Sequence, residues 1–311
     1  MKAIVCTAYG PPEVLEVREV EKPEPRPNEV LIKIAATSVT ASDCIIRGFK
    51  ISRWHPIGIM MGAVVGFRKP RNPILGMVLA GAVEAAGNHV SRFKKGDQIY
   101  GHTFSPSSIR FGAYAEYICL PETSLIAAKP SSITYEEAAA VPYGTGLALH
   151  YLRKGNTQHG QRVLIYGASG SIGTAAVQLA RHCGADVTGV CSTANLEMVQ
   201  SLGADHVVDY TRQDSLAAGT SYDFVLDAVG KSKSSTLKEN CKNALTPDGK
   251  YVSVDDGSPR NHREDLTLLN DLMEAGKFKP VIDRCYPLDE MVEAHRYVDQ
   301  GHKKGNVVIT V

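Results

Sequence analysis

A glycine-rich segment near the middle of the chain, GASGSIG, constrains the fold more than any other feature of the sequence. It follows the apolar run VLIY and precedes TAAVQLARHC, whose apolar residues recur at helical spacing. A glycine-rich turn between a strand and a helix can hold a dinucleotide pyrophosphate at the helix N-terminus, although such a turn can also be purely structural. We therefore predict nucleotide binding by Gly167, Ala168, Ser169, Gly170, Ser171, Ile172 and Gly173.

Two glycines of this segment have distinct predicted roles. Gly170 is expected to let the backbone approach the pyrophosphate, and Gly173 to let the helix and the strand pack closely. Ala168 occupies the position at which the commonest dinucleotide fingerprint has its first glycine.

The pattern on both sides of the glycine loop predicts the fold class. Strand-like runs (VLIY, DVTGVC, HVVDY, FVLDAV, KYVSV) alternate with helix-like runs, and short connections of this kind require right-handed crossovers and a parallel sheet. The chain before Leu120 alternates short apolar runs with Gly, Pro and Asn turns, which predicts a bent antiparallel sheet or small barrel. Pro142 is expected to kink or divide a helical segment, and the last segment, from Leu266 onward, to return to the first domain. We predict an α/β protein: a doubly wound parallel sheet plus a β-rich domain.

Composition excludes several other classes of protein. The 311 residues include 34 basic and 33 acidic ones, so the chain lacks the broad positive field that nucleic acid or an anionic membrane attracts. The longest apolar stretch, 57–67, is about half of the ~20 residues that span a membrane. The N-terminal residues do not have the pattern of a secretory signal. The seven cysteines are scattered and include no CxxC pair. We expect a cytoplasmic protein with a small-molecule partner, no nucleic acid and no membrane insertion.

The end of the second parallel strand bears on the choice of cofactor. NAD-selective sites commonly place an acidic residue about 20 residues after the glycine loop. Here Ser192, Thr193 and Asn195 follow the strand, and no carboxylate occurs before Glu197. Hydroxyl and amide groups can donate hydrogen bonds to a 2′-phosphate, so NADP is predicted over NAD. The choice between the two cofactors stays open because no Arg or Lys follows.

Several longer motifs extend across nearly the whole chain: VTASD from Val39, GMVLAGAVEAAGNHVSRFKKGDQIYG from Gly76, GAYAEY from Gly112, EEAAAVPYGTGLAL and LGADHVVDY. With these motifs the chain resembles the medium-chain dehydrogenase/reductase superfamily, in its zinc-free quinone oxidoreductase branch, which includes ζ-crystallin. The resemblance implies a GroES-like catalytic domain, 1–124 and 265–311, and a Rossmann dinucleotide-binding domain, 125–264. It also implies hydride transfer from NAD(P)H to a quinone or an α,β-unsaturated carbonyl.

The resemblance also assigns residues to the site. The positions of the catalytic zinc ligands of related alcohol dehydrogenases match Thr40, Met77 with Val78, and Tyr143, none of which is a usual zinc ligand, so no metal is expected. The implied cofactor contacts beyond the glycine loop are Ser192, Thr193, Asn195 and Tyr210 on the adenosine side and Thr145, Val229, Gly230 and Val254 on the nicotinamide side.

The implied substrate pocket contains Phe49 and Met77, with Thr40 and Tyr143 as candidate hydrogen-bond donors to the reacting carbonyl. Core packing is an equally good explanation for Thr40 and Tyr143. Phe49 stands where related enoyl reductases have a tyrosine, and phenylalanine cannot donate a hydrogen bond.

The sequence differs from its relatives at two places, and two alternative functions stay open. Ala194 and Leu196 lie where relatives carry a basic residue for the 2′-phosphate. The link 255–265 is short and lacks an edge strand that relatives use in dimers, so a monomer or an altered homodimer is expected. The chain could instead be a non-catalytic NADPH-binding protein, or an alcohol or aldehyde oxidoreductase of the same superfamily. A short-chain dehydrogenase is excluded because the glycine loop is central.

Overall fold

A computed structural model describes residues 1–49, 55–104, 110–232, 234–257 and 262–311. Its strands, numbered in chain order, are β1 (Lys2–Cys6), β2 (Leu15–Glu19), β3 (Glu29–Val39), β4 (Val78–Ala86), β5 (Gln98–His102), β6 (Tyr117–Pro121), β7 (Ile126–Ala128), β8 (Arg162–Tyr166), β9 (Asp186–Cys191), β10 (His206–Asp209), β11 (Tyr222–Asp227), β12 (Leu245–Ser253), β13 (Ile282–Pro287) and β14 (Asn306–Thr310). Its α-helices are α1 (Ala41–Gly48), α2 (Pro56–Val65), α3 (Tyr135–Ala140), α4 (Pro142–Gly155), α5 (Ser171–His182), α6 (Leu196–Ser201), α7 (Thr236–Asn243), α8 (Arg263–Glu274) and α9 (Met291–Asp299).

The described chain divides into two compact units. The first unit comprises Met1–Pro142, Leu266–Asn270 and Ile282–Val311, and the second comprises Tyr143–Asp265 and Asp271–Val281. Residues 125–142, expected in the Rossmann domain, therefore lie in the first unit. Residues 271–281, expected in the GroES-like domain, lie in the second unit. β7 pairs with β5, which keeps the first segment in the first unit. The amide of Gln178 exchanges two hydrogen bonds with the backbone of Lys279, which ties the second segment to the second unit.

The first unit is built on a mostly antiparallel sheet in the order β13-β14-β3-β4-β5-β7, with β6 also paired to β3 and a separate β1-β2 pair. The long strand β3 is central because it pairs with β4 on one side and with β6 and β14 on the other. Alternate residues of β3 (Val30, Ile32, Ile34) are buried against Leu79 and Ile99, as expected for one face of a sheet on a core. The β-rich beginning is confirmed. The last two strands return to this unit as expected, whereas 271–281, expected to return with them, does not.

The second unit contains a parallel sheet in the order β10-β9-β8-β11-β12. The chain moves outward from β8 first to one side and then to the other, which creates a crevice beyond the carboxyl ends of the central strands. The predicted doubly wound fold is confirmed. One strand differs from the expectation, since β12 begins at Leu245 rather than near Lys250, with a register shift where it meets β11.

Pro142 divides the predicted helical segment. α3 ends at Ala140 and Pro142 is the first residue of α4, a position at which its missing N–H costs nothing. The described residues contain no helix of the length and apolar character that crossing a membrane requires.

Candidate cofactor and active site

The glycine loop connects β8 to α5 at the centre of the parallel sheet. Gly167 has φ +84, a left-handed conformation that favours glycine. The N–H groups of Gly167 and Ala168 both donate to the Val190 carbonyl, at 3.0 and 2.9 Å, so the loop is tied to the neighbouring strand β9. The loop is therefore held in place before any ligand binds.

Gly173 and Gly170 differ in the space that is available for a side chain. A Cβ at Gly173 would lie 2.1 Å from the Gly167 carbonyl oxygen and 2.7 Å from the Ala168 Cα, so the close packing of helix and loop requires glycine there. A Cβ at Gly170 meets nothing closer than the Gly167 oxygen at 3.6 Å. Nothing in the described protein fills the space beside Gly170, and this space fits an external pyrophosphate.

The start of α5 adds favourable electrostatics. Gly170 is its N-cap and provides no side-chain cap, and α5 extends over 12 residues. The first turn of a helix has N–H groups without intrahelical acceptors and the positive end of the helix dipole. This helix end, together with the space beside Gly170, fits a phosphate-containing cofactor.

The predicted adenosine-side residues lie together where β9 and β10 end. β9 and β10 pair with Cys191 opposite Asp209, which brings Ser192 and Tyr210 to the same edge. The Asn195 amide donates to the Ser192 hydroxyl at 3.1 Å. The buried Asn195 Oδ1 has no hydrogen-bond partner in the described ranges. An orphaned acceptor at this point fits a ribose hydroxyl.

Asp209 and Arg212 lie beside these residues and were missed by the sequence analysis. The Thr193 hydroxyl donates to the Asp209 carboxylate at 2.5 Å, and Arg212 Nε lies 3.6 Å from the same oxygen. Burial raises the pKa of Asp209, but hydrogen bonds from Thr193 and Thr211 and the Arg212 charge outweigh it, so the pKa is lowered. Arg212 thus supplies a basic residue near Thr193, although it follows the third strand rather than the second.

The predicted nicotinamide-side residues surround the ends of β8, β11 and β12. A Cβ on Gly167 would lie 2.5 Å from Val229 Cγ2, so the Val229 side chain lies over the glycine loop. Gly230 has φ +70. The Val254 N–H donates to the Asp227 carbonyl at 3.0 Å, which joins this loop end to β11.

A buried acidic residue organises these loops. Asp227 Oδ1 accepts from the N–H groups of Val229 and Gly230, at 3.1 and 3.0 Å. Its Oδ2 lies 2.8 Å from Lys238 Nζ and accepts from Tyr251 at 2.9 Å. Burial raises the pKa of Asp227, but these partners outweigh burial and lower the pKa overall. Val229 and Gly230 are predicted cofactor contacts, but the carboxylate that holds them was not foreseen from the sequence.

Tyr143 and Thr145 lie at the start of α4, in the second unit. A Cβ on Gly144 would lie 2.1 Å from Ser171 Oγ, so this helix turn packs directly on the start of α5. Thr145 is buried and Tyr143 is half-buried. The structure therefore brings both residues next to the glycine loop.

Thr40, Phe49 and Met77 lie in the first unit. Thr40 is the N-cap of α1, and its hydroxyl donates to Asp43 Oδ2 at 2.6 Å. Phe49, the C-cap of the same helix, has φ +42, an uncommon conformation for an aromatic residue. Because β3 and β4 pair through Thr37 and Leu79, the end of β3 before Thr40 lies beside the start of β4 after Met77.

Two buried titratable groups accompany these residues. Burial raises the pKa of the Asp43 carboxyl to about 6. His102, paired with Val78 across β4 and β5, is buried, and burial lowers its pKa to about 4. Burial therefore favours the neutral form of His102.

The positions matched to zinc ligands carry no zinc-binding side chain, and no three His, Cys, Asp or Glu side chains come together within the described ranges. A cavity of about 700 Å³ in the first unit, lined in part by Val64, Arg71 and Phe111, includes none of the predicted substrate residues.

A Rossmann unit with a prepared glycine loop, together with this type of β-rich unit, defines a nicotinamide-dependent dehydrogenase or reductase. The family profile described as "Alcohol dehydrogenase GroES-like domain" matches residues 26–130, and two described as "Zinc-binding dehydrogenase" match 171–273 and 256–309. The chain belongs to the medium-chain dehydrogenase/reductase superfamily, and it is an oxidoreductase with quinone oxidoreductases and alkenal reductases as relatives.

Three similar proteins illustrate this relationship. A 2-methylene-furan-3-one reductase of Solanum lycopersicum is 33% identical over 99% of this chain and 79% of its own length. A chloroplastic NADPH-dependent alkenal/one oxidoreductase of Arabidopsis thaliana is 30% identical with the same coverage. A quinone oxidoreductase structure from Coxiella burnetii superposes with a TM-score of 0.86, at 28% identity, over 100% of this chain and 99% of that one.

Proposed function

We propose that the chain is an NADPH-dependent reductase of quinones or α,β-unsaturated carbonyls that works without a catalytic zinc. The observation that carries the proposal is the glycine loop, where a Cβ at Gly170 would make one ordinary contact, 3.6 Å from the Gly167 oxygen, while one at Gly173 would strike backbone. The names of the relatives, which include an NADPH-dependent alkenal/one oxidoreductase, support this substrate class and cofactor. A reducing compartment such as the cytoplasm is part of the same proposal.

Zinc independence rests on the ligand positions. Thr40, Met77, Val78 and Tyr143 occupy the places of the zinc ligands in related alcohol dehydrogenases, and none of these side chains binds zinc as thiolates or imidazoles do. One profile that matches the chain has zinc in its description, so metal dependence is part of the test.

When bound, NADPH supplies the hydride that an electron-poor conjugated carbon accepts. The protein then has to orient the cofactor and stabilise the negative charge that develops on the substrate oxygen. The Thr40 hydroxyl already donates its proton to Asp43. Tyr143, half-buried at the start of α4 beside the glycine loop, is the proposed hydrogen-bond donor to the substrate carbonyl.

The test combines binding and turnover. Oxidation of NADPH and NADH by chelator-treated protein is followed at 340 nm with 1,4-benzoquinone, 9,10-phenanthrenequinone and a simple enone, beside a Gly170→Ala variant. We expect chelator-resistant oxidation that prefers NADPH, and Gly170→Ala to stay folded while its NADPH affinity falls about tenfold or more. Gly173→Ala, which places a methyl group against backbone, is expected to destabilise the unit itself.

Other results would contradict separate parts of the proposal. Loss of activity with chelator, restored by zinc, would make the chain a metal-dependent alcohol or aldehyde oxidoreductase. Tight NADPH binding without reduction of any acceptor would make it a non-catalytic binding protein. Activity with NADH alone would contradict the cofactor only.

A further inference from the structure

Helix α2 of the first unit exposes its apolar side chains. Ile59, Met60, Val64 and Phe67 are 49%, 62%, 39% and 45% exposed, and their spacing places them along one helical face and its continuation. The opposite face, with Gly58, Gly62 and Val65, is buried. This is the reverse of an ordinary surface helix, which turns its large apolar residues inward.

The rest of the first unit holds the helix in this orientation. The Tyr9 hydroxyl donates to the Val65 and Gly66 carbonyls, at 3.0 and 2.7 Å, and so fixes the C-terminal end of α2. Gly66 ends the helix with φ +107. The Phe67 ring then packs back over Gly62, where a Cβ would lie 2.4 Å from it. The apolar face is therefore a fixed outward surface.

A basic cluster follows the helix directly. Arg68, Lys69 and Arg71 are exposed, and none forms an ion pair with another described residue. No acidic residue occurs anywhere from His55 to Val83. A chain with a net charge of only +1 thus concentrates three positive charges, none of them in an ion pair with a described residue, beside an exposed apolar helix.

We propose that this surface, Ile59–Arg71, binds the face of an anionic lipid membrane. Exposed apolar side chains beside basic ones are the features with which interfacial helices bind headgroups and the acyl boundary. A second copy of the chain is the poorer occupant, because a two-fold interface would place two such positive clusters against each other. The helix lies at the interface and spans nothing. The balanced net charge of the whole chain predicts no membrane binding, because a net charge does not report a local basic surface of this kind.

Sedimentation with vesicles tests the proposal independently of enzymatic activity. The whole protein is mixed with phosphatidylcholine vesicles, with or without about 30% phosphatidylglycerol, at about 50 and 500 mM NaCl. One variant combines Met60→Gln with Val64→Gln, and its control is Val17→Gln, an exposed apolar residue of β2. A second combines Arg68→Gln with Lys69→Gln, and its control is Lys94→Gln with Lys95→Gln, two exposed lysines elsewhere in the first unit.

We expect binding only to the anionic vesicles, weakened by salt and lowered about fivefold for each charge removed from the cluster. The apolar double variant should also bind less, while both controls bind as the native protein does. Circular dichroism and light scattering establish that each variant is folded and give its mass. Equal binding to neutral vesicles, equal effects of cluster and control variants, or a dimer that the apolar variant dissociates would each overturn the proposal.

Discussion

The carboxylate of Asp227 lies 2.8 Å from the ammonium group of Lys238, and both side chains are buried. Lys238 also donates to the Gly230 carbonyl at 2.5 Å, while Asp227 accepts the Gly230 N–H at 3.0 Å. The two residues therefore hold the Val229–Gly230 turn from both its donor and its acceptor side. This turn lies against Gly167, so the pair positions one wall of the proposed cofactor site.

Replacing Lys238 by Met tests this positioning. Removing one partner leaves Asp227 as a buried charge with neutral partners only, and the expected loss of unfolding free energy is about 3 kcal/mol. NADPH affinity should fall about tenfold because the turn loses its support. Lys242→Met, on the same helix but half-exposed, is the matched control. Urea unfolding and NADPH fluorescence titration measure both effects, and equal results for the two variants would contradict the positioning role.

Arg212 is predicted to favour NADPH over NADH. Its position beside Asp209 and Thr193 places a positive charge near the proposed 2′-phosphate site. Arg212→Gln should raise the KM for NADPH about fivefold at low salt, less at high salt, and leave the KM for NADH unchanged. Arg181→Gln, another exposed arginine of this unit that pairs with Asp205, is the control. Equal changes for both cofactors would exclude a 2′-phosphate contact.

The donor role of Tyr143 is separable from that of Thr40. Tyr143→Phe should lower kcat about 100-fold, the size of the loss of an oxyanion-stabilising donor, with unchanged NADPH affinity. Thr40→Val removes an N-cap, so it should cost about 1 kcal/mol of stability while turnover persists. Steady-state kinetics and urea unfolding of both variants decide the assignment. The opposite pattern would make Thr40 the donor.

Stability should fall as the pH rises through the range in which Asp43 titrates. Its folded pKa of about 6 is above the ~3.9 of an unfolded aspartate, so the folded state holds the proton more tightly. The stability that this proton provides is complete below about pH 4 and lost above about pH 6, up to about 3 kcal/mol. Asp43→Asn, which stays neutral, should therefore gain stability relative to the native protein between pH 4 and pH 8. Urea unfolding across this range measures the difference, and a difference that is constant with pH would contradict the shift.

The sequence predicts the parts of this protein that depend on local pattern. The alternation of strands and helices, the glycine loop and the break at Pro142 each follow from neighbouring residues, and the structure has them in place. Arg212 and Lys238 could not be predicted in the same way. Their roles depend on which strand ends are adjacent in the sheet, and a residue after the third strand becomes a neighbour of Thr193 only through that order. The apolar run 57–67 is evident in the sequence. Which face of α2 is exposed cannot be predicted from it, because that depends on Tyr9 and the rest of the unit.

The edge of the parallel sheet leads to a prediction for the oligomeric state. β12 is the last strand on its side of the sheet among the described residues, and part of the short link after it, 258–261, lies outside them. Relatives are expected to pair a further edge strand across a dimer, so without one we predict a monomer of 33.6 kDa or a dimer formed elsewhere. Sedimentation equilibrium gives the mass, and hydrogen exchange reports whether β12 is paired on its outer edge. Because an unpaired edge exposes its amides to water, we expect part of β12 to exchange quickly. A dimer mass with every β12 amide protected would show that β12 itself forms a sheet across the interface and would contradict the prediction.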